Sequence, residues 1–223
     1  MPEPSTPGVG FRDGILGLMY YGERLNGYTH LAGSMLAVGG AAALVATAAL
    51  RGDPLKVVSF AVYGTTLCVL FLASTLYHST QGRAKDVFRK IDYISIYLVI
   101  AGTITPFALV AMKGEWGWTL FVAMWALAVV GILQELYVAR GMRLTSLAIY
   151  LIMGWLPLIT LGPLVDALTW HGAQWLIGGG LVYTAGIVFY FFDEKYRHWH
   201  GIWHVFVLCG SATHYATIVL FVA

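Results

Sequence analysis

The charged residues of this 223-residue chain are confined to short segments that separate long uncharged stretches. The chain has only 13 Lys and Arg and 11 Asp and Glu, and seven stretches of 19 to 26 residues contain none of them. An α-helix needs about 20 apolar residues to cross the hydrocarbon core of a bilayer. The pattern therefore predicts seven membrane-spanning helices and excludes a soluble globular domain. The stretches are 28–50, 57–82, 93–112, 116–134, 144–165, 167–192 and 198–223.

The periodicity of these stretches excludes a transmembrane β-barrel. Barrel strands alternate polar and apolar residues over roughly ten positions, whereas residues 120–130 are apolar throughout. Hydrophobic residues make up 59% of the chain, which is too much apolar surface to bury behind so few charges in water. We therefore expect an all-α, seven-transmembrane helix bundle that forms a single domain over residues 28–223. Residues 1–27 are expected to form a cytoplasmic N-terminal segment.

The distribution of Lys and Arg predicts the orientation of the bundle, because cytoplasmic loops are enriched in these residues. Three lie in loops on the side opposite the N-terminus, and ten lie on the side of the N-terminus. We therefore expect a cytoplasmic N-terminus, an outward-facing C-terminus and a location in the cell inner (plasma) membrane. The three are Arg51, Lys56 and Lys113, and the ten are Arg12, Arg24, Arg83, Lys85, Arg89, Lys90, Arg140, Arg143, Lys195 and Arg197.

Three prolines fall inside the predicted spans. Pro106 lies in the third span, and Pro157 and Pro163 lie in the fifth. A proline ring removes a backbone donor and clashes with the preceding turn, so these spans are expected to kink or break.

Histidines at membrane depth point to chemistry, because a polar side chain in a bilayer is costly. His200 and His204 stand four residues apart at the start of the seventh span, so one helical face presents both imidazoles. The alternation of spans brings His78, at the end of the second span, and Asp92, before the third, to the same cytoplasmic side. Three imidazoles with one nearby carboxylate match a catalytic zinc site whose fourth position is left for water. Ser74 precedes His78 by one turn and is expected to face the same site.

Each of these residues also has an interpretation without a metal. The histidines could lie in the headgroup layer or hydrogen-bond between helices. Asp92 could cap a helix or pair with Arg89 and Lys90 in the loop. Ser74 could donate to the backbone carbonyl one turn back, as most serines in membrane helices do.

Four sequence blocks resemble the hemolysin III proteins, bacterial members of the progestin and adipoQ receptor family, which includes the adiponectin receptors. The resemblance covers residues from about 20 to 220, and the order, spacing and span number of the blocks all agree. The blocks are Glu23-Arg-Leu-Asn26-Gly-Tyr-Thr29-His30-Leu-Ala-Gly33, Ser74-Thr-Leu-Tyr-His78, Ile91-Asp92-Tyr93 and His200-Gly-Ile-Trp-His204, with His214 ten residues later.

The resemblance implies a Zn²⁺ ion near the cytoplasmic face, with His78, His200 and His204 as its ligands. Asp92 and Ser74 match the acidic residue and the serine that lie close to the zinc in the family. Alkaline ceramidases of the wider superfamily have a similar arrangement, which implies metal-assisted hydrolysis of a lipid amide or ester. Asp92 would then move the proton of the attacking water, and Ser74 would hydrogen-bond the water or the developing oxyanion.

Other polar residues are assigned supporting roles. We expect His30, Asn26 and Glu23, at the same depth, to orient the ligands. His214 lies about 15 Å further along its helix than His204 and is expected to be a buried, hydrogen-bonded histidine that does not share the ion.

Two other functional classes stay open. One is a non-enzymatic membrane receptor or regulator with structural zinc, which a fourth protein ligand such as Asp92 would favour. The other is a cytolytic or pore-type protein, although the ionisable candidates crowd at one face of the membrane rather than lining its full depth. In each case the expected partners are the lipid bilayer and a membrane lipid, with no role for nucleic acid.

Overall fold

The computed structural model describes residues 23–138 and 143–223, which are helical apart from short connections. Most of the expected N-terminal segment, together with Arg12 and Arg140, lies outside the described residues. The first four helices are α1 (Arg24–Leu50), α2 (Pro54–Ser79), α3 (Gly82–Pro106) and α4 (Gly114–Leu133). The last three are α5 (Arg143–Trp155), α6 (Leu161–Phe191) and α7 (Trp199–Phe221).

The expectation of seven separate spanning helices is corrected to six within the described ranges. Five of the six are α1, α2, α3 with its extension to Met112, α4 with its extension to Val138, and α7. The sixth is a helical segment of 49 residues, Arg143–Phe191, which contains both the fifth and the sixth predicted spans. The sequence marks the boundary between them with Asp166 alone, and helical hydrogen bonding continues past it.

This 49-residue segment folds back on itself. A straight α-helix of that length would extend about 70 Å. However, the Arg143 guanidinium at one end lies 2.9 Å from the Asp193 carboxylate just beyond the other end. Thr169 has non-helical dihedral angles (φ 65°, ψ 167°). The segment is therefore a helical hairpin with arms of residues 143–168 and 170–191.

Two of the three prolines coincide with departures from α-helical geometry, as predicted. Pro106 ends α3, and the chain continues as a π-helix from Phe107 to Met112. Pro157 lies in a 3₁₀ segment, Leu156–Thr160, between α5 and α6. A proline cannot donate the hydrogen bond that an α-helix requires at its position, so the helical pitch changes there.

The end of the bundle that carries the histidines depends on close approach of α1 and α2. Gly33 lies one turn after His30 on α1, and a Cβ added there would lie 2.7 Å from the Phe71 ring on α2. The missing side chain lets the two helices pack at a distance that larger residues would prevent. Buried residues of α2 and α3 form the centre of the bundle.

Candidate metal centre

The three histidines singled out in the sequence meet at one end of the bundle. His78 lies in the last turn of α2, and His200 and His204 lie in the first turns of α7. The ring centroids of His78 and His204 are 4.9 Å apart, those of His200 and His204 are 4.6 Å apart, and those of His78 and His200 are 5.2 Å apart. Each ring offers one nitrogen, and these three nitrogens lie within 4.8 Å of one another. A single metal ion could therefore contact all three rings.

Burial argues against histidines that merely extend into the headgroup layer. His78 and His204 are each only 2% exposed, and the His200 side chain is 26% exposed. Rings as deeply enclosed as those of His78 and His204 require hydrogen-bond partners or a ligand, because an unpaired buried polar group is costly.

The partners that the structure provides are all on the same ring nitrogen. His78 Nδ1 is 2.7 Å from Glu23 Oε2, His200 Nδ1 is 2.6 Å from Asp193 Oδ2, and His204 Nδ1 is 3.0 Å from the Asn26 backbone carbonyl oxygen. Each acceptor favours a proton on Nδ1, which leaves the lone pair on Nε2 free for a metal. His78 Nε2 is buried and has no hydrogen-bond partner among the described residues. This pattern fits metal ligation.

Glu23 and Asp193 lie just outside the helices, at the ends of α1 and α6. Glu23 also accepts hydrogen bonds from Asn26 Nδ2 (2.8 Å) and Lys85 Nζ (3.1 Å). The hydrogen bond from His78 is the largest of the effects that lower the pKa of Glu23 to about 2. Burial opposes ionisation of Asp193, but hydrogen bonds from His200 and Arg143 outweigh it and hold the pKa of Asp193 below its usual value. Both carboxylates are therefore ionised acceptors at neutral pH.

Ser74 and Asp92 are buried beside the histidines, at 1% and 8% exposure. The Ser74 hydroxyl lies near the Asp92 carboxyl but has no partner at normal hydrogen-bond distance among the described residues, so the alternative in which it donates to a backbone carbonyl is wrong. The adjacent Thr75 does make that bond, to the Phe71 carbonyl oxygen at 2.7 Å. The unpartnered Ser74 hydroxyl is therefore available to a ligand.

The two alternatives for Asp92 also fail. It does not cap a helix, because α3 begins ten residues earlier, at Gly82. It is enclosed within the bundle rather than exposed in a loop, and Arg89 is paired with Asp86 at 3.3 Å. Asp92 is not in the group of side chains close enough to share one ion. Within the described part of the chain, that group has three members.

His30 lies directly against this group. Its ring stacks on that of His204 with centroids 3.7 Å apart, and it meets the Phe71 ring edge-on at 5.1 Å. His30 is 3% exposed, and neither ring nitrogen has a hydrogen-bond partner in the ranges that the structure covers. The stacked His30 ring covers one face of the His204 ring and so restricts its rotation.

A cavity of about 150 Å³ adjoins the histidine group. Its wall is mainly apolar and comes from α3, α5, α6 and α7, but it also includes His30, Ser74, Asp92 and His204. A second, more open cleft is lined by charged residues at the same end of the bundle, among them Glu23 and Asp193. His200 lines both, so the histidine group lies between a polar cleft and an apolar cavity.

His214 behaves as the sequence predicted with respect to hydrogen bonding. Its Nε2 donates to the Leu176 carbonyl oxygen at 3.1 Å, and it lies outside the group of three. It is only partly buried, because it lines the apolar cavity.

The contact between Asp193 and His200 was not predicted from the sequence. Asp193 lies outside the helices and seven residues before His200, so no helical periodicity relates the two side chains. The available signal was its position as the first charged residue after the stretch 167–192, on the side predicted to carry the histidines. Glu23 and Asn26, which were expected to orient the ligands, do contact His78 and His204.

Comparison with known proteins gives consistent relationships over nearly the whole chain. Hemolysin-3 of Bacillus cereus is 39% identical over 201 residues, which cover 90% of this chain and 91% of that protein. A Hemolysin-3 homolog of Bacillus subtilis (strain 168) is 39% identical over 200 residues, covering 89% and 93%. Monocyte to macrophage differentiation factor of Homo sapiens is 28% identical over 204 residues, covering 89% and 83%.

A profile of the family described as Haemolysin-III related matches residues 19–215. The match includes every block on which the resemblance in the sequence was based. Together with the apolar helices, it makes the chain a multi-pass integral membrane protein, consistent with a bacterial plasma membrane. The resemblance is thereby confirmed, and the chain belongs to the Haemolysin-III related family.

Proposed function

We propose that the protein is a zinc-dependent membrane hydrolase that cleaves a lipid amide or ester. The observation that carries the proposal is the shared hydrogen-bonding pattern of the three histidines. All three Nδ1 atoms are engaged by protein acceptors, which leaves three Nε2 atoms for one ion. Three neutral imidazoles are a ligand set typical of catalytic zinc.

His78, His200 and His204 would hold the ion, which would supply the Lewis acidity that activates water and polarises the carbonyl. Asp92 accepts the proton of the water and returns it to the leaving amine or alcohol. Asp92 is enclosed in the bundle, away from bulk water, and lines the same cavity as Ser74 and His204. Ser74 donates its unpartnered hydroxyl to the oxygen that gains negative charge during the attack.

The separation of Asp92 from the histidine group favours catalysis over a purely structural zinc. A structural zinc site is usually closed by four protein ligands, whereas a catalytic site keeps one position open. Here the three histidines form a group without Asp92. Asp92 and Ser74 instead line the adjoining cavity, where a substrate would lie.

The apolar wall of that cavity suits an acyl chain. Side chains such as Ile96, Ile100 and Leu151 provide nonspecific apolar contact, while polar groups are concentrated at the histidines. A lipid with its carbonyl beside Ser74 would place its chain in the cavity and its headgroup in the charged cleft.

The two arms of the hairpin are proposed to cross the membrane separately, which gives seven crossings in total. Each arm has more than the roughly 20 residues that one crossing requires. Residues 1–27 then form a cytoplasmic segment before a single membrane domain, and the C-terminus faces outward. This places the histidine group at the inner leaflet.

Fatty-acid release from a panel of lipid amides and esters tests the proposed reaction. We expect the wild-type protein to release fatty acid from at least one lipid, and Asp92→Asn to reduce turnover about 10²- to 10⁴-fold. His171→Ala is a matched control, because His171 is exposed beside the hairpin turn at Thr169, whereas Asp193 and His200 lie at the other end of the hairpin. Absence of release from every lipid, or an Asp92→Asn variant as active as the wild type, would contradict the proposal.

A further inference from the structure

Two carboxylates outside the helices contact the histidine group and have no role in the reaction described above. We propose that Glu23 and Asp193 are positioning residues that set the tautomer and direction of His78 and His200, and so control the affinity of the site for zinc. This inference rests on the proposed zinc site, but it concerns metal binding rather than catalysis.

Glu23 is placed to orient His78 and is itself held from two sides. Its Oε2 accepts from His78 Nδ1 at 2.7 Å and from Asn26 Nδ2 at 2.8 Å, while Oε1 accepts from Lys85 Nζ at 3.1 Å. The carboxylate therefore links the start of α1, the end of α2 and the start of α3. Because both oxygens are engaged, rotation of the His78 ring would break a bond in a network rather than a single contact.

Asp193 orients His200 in the way that Glu23 orients His78. Its Oδ2 accepts from His200 Nδ1 at 2.6 Å, and Arg143 Nη2 donates to both carboxylate oxygens at 2.9 and 3.0 Å. The Asp193 side chain is only 8% exposed, whereas its neighbour Glu194 is 82% exposed. The arrangement therefore fixes His200, the most exposed of the three histidines.

The hydrogen bond that orients the third histidine, His204, does not depend on a side chain. His204 Nδ1 is held by the Asn26 backbone carbonyl, which is present whatever side chain occupies that position. The orientation of His78 and His200 depends instead on side chains. Carboxylates that orient metal-bound histidines typically change metal affinity about 10- to 100-fold when they are replaced.

Zinc affinity measured by competition with a chromogenic chelator tests the inference on purified full-length protein. We expect Glu23→Ala and Asp193→Ala to bind zinc about 10- to 100-fold more weakly than the wild type. Glu23→Gln and Asp193→Asn keep an oxygen acceptor for Nδ1–H and should lose less. Glu194→Gln is the matched control, since Glu194 contacts Arg143 at 2.6 Å but none of the three histidines, and its zinc affinity should not change.

A general loss of folding is separated from positioning by two further measurements. Thermal unfolding of the metal-free variants shows whether they fold, and the d–d absorption of the Co²⁺-substituted protein reports the geometry of the ligands. We expect folded Gln and Asn variants with an altered cobalt spectrum. Wild-type affinity and spectrum in both Ala variants would overturn the inference while leaving the proposed hydrolase intact. A wild-type protein that binds neither metal would overturn both.

Discussion

At the scale of single residues, some polar atoms of the site have hydrogen-bond partners and others have none. Every Nδ1 of the three histidines has an acceptor, whereas His78 Nε2 and the Ser74 hydroxyl have no partner in the described ranges. A buried polar atom without a partner destabilises a fold, so a ligand that pairs with these two atoms would stabilise this one.

Substitution of Ser74 should therefore separate activity from stability. The Ser74 hydroxyl forms no hydrogen bond of normal length among the described residues, although it lies near the Asp92 carboxyl. Ser74→Ala should therefore lower the free energy of unfolding by no more than about 1 kcal/mol. Turnover should fall about 10²- to 10³-fold if the hydroxyl stabilises the developing oxyanion. Parallel thermal unfolding and fatty-acid release measure the two effects.

The neighbouring Thr75 provides the control for this experiment. Thr75→Ala removes the hydrogen bond to the Phe71 carbonyl and a buried methyl group, so stability should fall by about 1 to 2 kcal/mol with little loss of turnover. If Ser74→Ala proves the less stable of the two, the Ser74 hydroxyl has a structural partner and the proposed role is wrong.

Residue types and spacing were enough to predict which histidines meet, and the structure brings His78, His200 and His204 together at one end of the bundle. They did not predict which atoms satisfy the rings. The contact between Asp193 and His200 depends on the path of the chain between α6 and α7, including the left-handed conformation of His198 (φ 68°). No periodicity encodes such a path.

At the scale of helices, the uncharged stretches predicted the apolar part of each helix but not the residues at which the helix begins and ends. The third uncharged stretch begins at residue 93, but α3 begins at Gly82 and carries Arg83, Lys85 and Asp86 before it. Helical hydrogen bonding can continue into water beyond the hydrocarbon core. Composition therefore predicted which segments are apolar enough to span a membrane, and missed the ends of the helices and the continuity of the segment Arg143–Phe191.

The hairpin depends on a strained residue. Thr169 has φ 65° and ψ 167°, a region occupied almost only by glycine, and strain of this kind costs about 1 to 3 kcal/mol. Thr169→Gly should relieve part of that strain and raise the midpoint of thermal unfolding. A control at the exposed Ala212 in α7, Ala212→Gly, should lower it, since glycine inside a helix costs about 0.5 to 1 kcal/mol. Destabilisation by both substitutions would mean that Thr169 is not strained in the folded protein.

At the scale of the whole molecule, the proposed topology requires the hairpin to cross the membrane twice. Single cysteines test this in a variant that lacks Cys68 and Cys209. In intact cells, an impermeant maleimide should label Asp166→Cys near the tip of the hairpin and Gly52→Cys between α1 and α2. It should not label Lys195→Cys between α6 and α7 until the cells are opened. Equal labelling of positions 166 and 195 in intact cells would contradict seven crossings.

In the proposed metal centre, His78, His200 and His204 hold one zinc ion at this end of the bundle. Elemental analysis of protein purified without chelator tests it most directly. We predict about one zinc per chain in the wild type and in His171→Ala, and loss of that zinc when any of the three histidines is replaced by Ala. A metal-free wild-type protein, or histidine variants that keep their zinc, would contradict zinc binding by these three residues.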